Sequence, residues 1–149
     1  MSKKQTWPYL RVTKDDQEII KAIAKYPGIL QSADMKDIVM IAASLAVEAN
    51  APELEMPKGD KTDVANSGAL SSEQYGEYRQ YMILVYYLTK AKKELSNMND
   101  LEDIVENFAN YAHRGLQIMK ENYLKSGGPE EFEKTFAKLI AQMDKPLLA

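Results

Sequence analysis

The chain has 149 residues, 45% of them hydrophobic and 28% charged, with no cysteine, one histidine and a formal net charge of −3. A domain of this size buries roughly 70% of the surface its unfolded chain exposes, so it needs no covalent staples, and one globular domain is expected. Without thiols there is no disulfide framework, iron–sulfur cluster or cysteine nucleophile, His113 alone cannot build a His₂ or His₃ metal site within one chain, and the acidic balance argues against broad coating of nucleic acid.

The elements follow from spacing and caps. Residues 9–12 alternate, with Leu10 and Val12 on one side and Tyr9 and Arg11 on the other, as in a short strand. Thr13 and Asp16 form a capping box with Asp in place of Glu, and Ile19, Ile20, Ile23 and Ala24 follow at helical spacing, predicting a first helix over 14–25. Pro27-Gly28 ends it. A second helix over 33–50, capped by Ser32 or Asp34, carries an apolar stripe through Met35, Ile38, Ile41, Ala42, Leu45, Ala46 and Ala49, and is expected to be the most buried. Residues 51–70 hold Pro52, Pro57, Gly59 and Gly68 without periodicity, so the reading there is an exposed loop. A third helix over 72–96 begins at a Ser71/Gln74 box or just after Gly76, with Tyr78, Tyr81, Met82, Val85 and Leu88 on one face. A fourth over 100–125, capped by Asn99 or Asp100, uses Leu101, Ile104, Val105, Phe108, Tyr111, Ala112 and Met119. Gly127-Gly128-Pro129 closes it and opens a fifth over 129–143 with Phe132, Phe136, Leu139, Ile140 and Met143.

The predicted fold is therefore all-α: a single-domain bundle of about five helices with at most one short N-terminal strand. Its core is led by Ile38, Ile41, Leu45, Val85, Leu88, Phe108 and Leu116. No transmembrane segment is expected, because the longest strongly apolar stretch, residues 81–88, is far shorter than the ~20 residues a spanning helix needs. Lys3-Lys4 leads into polar residues instead of an apolar signal core, and a cytoplasmic location follows as the expectation.

Several residue groups are candidates for function. Residues 1–25 hold Lys3, Lys4, Arg11, Lys14, Lys21 and Lys25 against Asp15, Asp16 and Glu18, a basic head on an acidic remainder. His113 lies seven residues after Glu106 and three after Asn110, near one helix face, so a general base oriented by Glu106 is conceivable, though no nucleophile can be nominated. Asp15, Asp16 and Glu18, and likewise Glu102, Asp103 and Glu106, crowd helix N-termini, where the macrodipole favours anions. Tyr75, Tyr78, Tyr81, Tyr86 and Tyr87 crowd the third helix, so one set of rings enters the core while Tyr86 or Tyr87 projects onto a half-exposed surface suited to an interface.

Two resemblances add to this. A short alternating strand bearing a cation, an amphipathic helix and a capped apolar helix resemble the ribbon–helix–helix DNA-binding unit, in which strands of two protomers pair and read the major groove. The resemblance implies that Tyr9 and Arg11 face the groove and that the amides near Asp34 and Met35 anchor a phosphate. Secondly, residues 35–46, MKDIVMIAASLA, and 108–119, FANYAHRGLQIM, are similar to two helices of small proteins encoded beside DNA phosphorothioation (Dnd) gene clusters, above all at Lys36-Asp37, Tyr111-Ala112 and Gly115-Leu116. That resemblance implies a phage-defence or DNA-modification setting and no assigned catalytic residue.

The leading expectation is a non-enzymatic DNA-associated accessory or regulatory protein, a homodimer binding duplex DNA through Lys3, Lys4, Tyr9, Arg11 and Lys14, with other defence-system proteins as partners and no cofactor or metal. The alternative is a helical protein–protein adaptor without DNA binding, using the tyrosine-rich helix and the acidic loop. A metal-dependent hydrolase or nuclease built on Glu102, Asp103 and Glu106 ranks last.

Overall fold

The computed structural model describes residues 7–25, 30–51, 54–89 and 101–121. Lys3, Lys4, the proline–glycine stop at residues 27–28, the far end of the third predicted helix, the Asn99/Asp100 cap and the fifth predicted helix all lie outside these residues. The described chain runs β1 (Leu10–Thr13), α1 (Lys14–Lys25), α2 (Met35–Glu48), β2 (Lys61–Ala65), the one-turn α3 (Ser67–Leu70), a 3₁₀ turn at Glu73–Tyr75, α4 (Gly76–Thr89) and α5 (Leu101–Met119). It is mostly helical, with one two-stranded sheet, as a small bundle should be.

α1 starts where its box requires. The Thr13 backbone N–H donates to Asp16 Oδ2 at 3.3 Å, and the Asp16 N–H donates to Thr13 Oγ1 at 3.0 Å, so two orphan amides of the first turn are satisfied reciprocally. α2 follows its Asp34 cap position, although that side chain makes no capping bond. It ends where Asn50 turns left-handed at φ +52°, a conformation asparagine tolerates better than most residues.

Residues 51–70 depart from the expected loop. Most of the described ones are exposed, but residues 61–65 form β2, antiparallel to β1, in the register Arg11 opposite Asp63, Val12 opposite Thr62 and Thr13 opposite Lys61, with an irregularity between Leu10 and Arg11. Lys-Thr-Asp-Val-Ala has too weak an alternation to announce a strand, and it becomes one because β1 supplies the pairing edge. Asn66 then caps α3 by accepting from the Ala69 N–H at 2.8 Å.

The central helix is α5. Thirteen of its nineteen residues are buried, against six of fourteen in α2, which corrects the expectation that the second helix is the most enclosed. The two pack against each other along their length. At their closest approach a Cβ on Gly115 would overlap the Ala42 carbonyl, so only glycine lets the backbones meet. α4 closes one side of this pair: Tyr78 and Tyr81 stand edge-on to Phe108, with ring centroids 5.7 and 6.1 Å away. The Tyr78 hydroxyl donates to the Lys36 carbonyl at 2.8 Å, and the Tyr81 hydroxyl bonds Ser44. Burial raises the phenol pKa of both tyrosines.

The predicted core holds at Ile38, Leu45, Val85, Phe108 and Leu116. Ile41 is only half-buried, and Leu88 is a correction: it is 57% exposed. α4 turns Tyr78, Met82, Val85 and Tyr86 inward, so its buried face is rotated from the expected stripe and leaves Leu84, Tyr87 and Leu88 on the outside. Of the two tyrosines expected to compete for the surface, Tyr87 is the exposed one and Tyr86 is buried.

Candidate nucleic-acid interface

The alternation read at residues 9–12 is present in the fold. Leu10 and Val12 are fully buried, while Arg11 is exposed and Tyr9 is 45% exposed, so the two candidate contact side chains share the open face of the ribbon. The Arg11 guanidinium lies over the Tyr9 ring, 4.6 Å from its centroid, and Arg11 Nε donates to Asp63 Oδ1 at 2.8 Å across the strand pair. Lys14 continues the same edge, its ammonium 3.5 Å from Asp60. Both ion pairs are about half exposed or more, so each is worth roughly 0–1 kcal/mol and opens readily.

Asp63 of β2 and Asp60 just before it thus set two carboxylates against these cations, a pairing without a local signal, and one edge of β1 is taken by a strand of the same chain. Beside the ribbon runs an open groove of about 390 Å³, walled by Tyr9, Arg11, Lys58 and Lys61 on one side and Glu102 and Glu106 of α5 on the other. Its charge is mixed. The proposed phosphate anchor at the start of α2 lies beside α4, with Lys36 engaged by Tyr78 and its ammonium 5.8 Å from the Tyr75 ring centroid.

The carboxylate cluster Glu102, Asp103 and Glu106 is exposed, and no group of three or more histidine or acidic side chains able to hold a metal occurs among the described residues. No described helix is long and apolar enough to cross a membrane.

His113 is placed differently from the sequence reading. Its partner is not Glu106, which is exposed, but Asp16 of α1: Nδ1 lies 2.7 and 2.9 Å from the two carboxylate oxygens, and both side chains are buried. Asp16 is thus more than an anion at a helix start. It satisfies the α1 cap and holds the imidazole of α5 at once. The signal in the sequence was limited to an acidic side chain in a capping box, since the contact joins residues from opposite ends of the described chain. Asn110, expected near His113, instead accepts from the Met56 backbone N–H at 3.4 Å.

Compared with protein-family models, curated proteins and solved structures, the chain matches none.

Proposed function

We propose that the chain is a non-enzymatic, DNA-associated accessory protein of a DNA-modification or phage-defence system, acting as a homodimer and touching duplex DNA with the ribbon face of β1. The observation that carries the reading is the exposed Tyr9–Arg11 pair standing over buried Leu10 and Val12. Stacking on Tyr9 restricts the guanidinium before any contact, and a planar fork held on a strand suits the two acceptors of a guanine edge. Asp63 neutralises Arg11 until a phosphate or base competes for it. The defence setting rests on the similarity of residues 35–46 and 108–119 to the phosphorothioation-linked helices. Those segments overlap the α2–α5 contact at Ala42 and Gly115, where close packing constrains sequence.

Electrophoretic mobility at two salt concentrations tests this. Affinity should fall with salt by about 0.9 logarithmic units per phosphate contact. Changing Lys3 and Lys4 to alanine should flatten that slope for every sequence, whereas Arg11→Ala should erase sequence preference more than total affinity. Asp63→Asn should tighten binding, because it removes the internal competitor for Arg11. Undetectable binding at low salt would overturn the reading.

A second reading, a helical protein–protein adaptor without DNA binding, is favoured by one observation: Leu84, Tyr87 and Leu88 form an exposed apolar strip on α4. Retention of partner or self-association by an Arg11→Ala variant, with its loss in Leu88→Asp, would put that reading first.

A further inference from the structure

The Asp16–His113 pair makes no DNA contact in the ribbon reading, yet it opens onto a cavity. His113 is only 6% exposed and lines a cleft of about 490 Å³, a size suited to a small ligand. Three stretches of chain wall it: the β1–α1 junction at Lys14 and Asp15, the segment carrying Pro57 and Lys58, and Gln117 one turn beyond the histidine on α5. Because Nδ1 is committed to Asp16, Nε2 is the nitrogen left for the cleft.

The chemistry of that nitrogen follows from its backing. A fully buried carboxylate is costly unless its oxygens are hydrogen-bonded, and Asp16 is met by the Thr13 backbone N–H and by this imidazole. Nε2 is thereby left as a polar atom able to hydrogen-bond a ligand at the floor of the cleft. Lys58, on the rim, adds an exposed ammonium, while Lys14 is tied to Asp60 at 3.5 Å. Asp15 and Asp60 also line the cleft, and their carboxylates repel a long polyanion, so an anion that meets Lys58 there has to be small.

We propose that this cleft binds one phosphate group, free or as a small monoester, with Lys58 Nζ donating to its oxygens, His113 Nε2 hydrogen-bonded to it and Asp16 as the positioning residue that fixes the ring. The proposal does not require duplex binding by the ribbon, although Lys58 lines both this cleft and the groove beside the ribbon.

The single histidine makes the test direct, since the imidazole nitrogen and proton resonances report on His113 alone. Titration of the full chain with inorganic phosphate should move them saturably, while chloride at matched ionic strength should not. Lys58→Ala, a surface change that leaves the fold intact, should weaken phosphate binding several-fold, and His113→Gln should abolish the calorimetric signal. Asp16→Asn should alter the ring's tautomer, visible in its nitrogen shifts, and weaken binding together with it. Resonances that ignore phosphate, an equal response to chloride, or unchanged affinity in Lys58→Ala would each overturn the proposal. A response to a duplex lacking terminal phosphates but not to inorganic phosphate would also overturn it, and would assign the effect to the DNA backbone.

Discussion

Asp16 in the first turn of α1 and His113 in α5 are 97 residues apart in sequence and 2.7 Å apart in the fold. Because the same carboxylate also accepts from the Thr13 N–H, it ties the ribbon, the first helix and the central helix together at one buried point. Removing one member of a buried hydrogen-bonded pair leaves the other's polar group unsatisfied, typically at a cost of about 1–3 kcal/mol. Asp16→Ala should lose that together with about 1 kcal/mol of capping. Urea denaturation should show His113→Gln close behind it and Glu106→Ala within about 0.5 kcal/mol of the wild type, as expected of an exposed residue. A large effect at Glu106 with none at Asp16 would reverse the assignment.

Gly115→Ala should be destabilising, although alanine is normally the better helix former by about 0.5–1 kcal/mol. The added methyl would overlap the Ala42 backbone, which cannot swing away as a side chain could, so the cost should reach or exceed the upper part of the ~1–3 kcal/mol typical of overpacking. A raised melting temperature would mean that α2 and α5 do not meet there.

Leu45→Asp and Leu88→Asp should behave oppositely. Leu45 is buried in the α2 face, and a carboxylate there would lack a partner, costing several kcal/mol. Leu88 is largely exposed on α4, so its replacement should change the monomer's stability by about 0.5 kcal/mol or less. Comparable losses of melting temperature in both variants would show that the strip on α4 is covered.

Alkaline pH should unfold the protein through two tyrosines. Burial raises the phenol pKa of Tyr78 and of Tyr81 above the ordinary value of 10.0. The folded state therefore keeps protons that the unfolded chain releases, and the stabilisation is fully present below about pH 10 and is lost as pH rises above it. Tyr78→Phe should flatten this alkaline decline, measured as denaturation midpoint against pH, while forfeiting the hydrogen bond to Lys36 at all pH values. An identical alkaline slope in wild type and variant would contradict the burial argument.

Local pattern was enough for the helix at 14–25, for the second helix, expected over 33–50 and found over 35–48, for the Thr13/Asp16 box, the inward Leu10 and Val12 and the outward Tyr9 and Arg11, because each depends on residues within one or two turns of chain. It also placed Phe108 and Leu116 in the core, since a 3.6-residue stripe marks its own buried face. The rotation of α4 was beyond reach. That helix is apolar nearly all round, and which of Leu88 and Tyr86 turns inward depends on how α4 packs against α5.

Sequence by itself determined a small, thiol-free helical chain whose opening segment alternates and carries its cations together. Tertiary structure alone decided that Lys61–Ala65 is a strand, that Asp63 and Asp60 face Arg11 and Lys14, and that Asp16, not Glu106, holds His113. The physical reason is the range of the interactions. Helix spacing and caps are fixed by neighbours a few residues away, whereas strand pairing, glycine-mediated helix contact and a buried carboxylate–imidazole bond exist only after segments distant in sequence have been brought together by burial of the apolar faces between them.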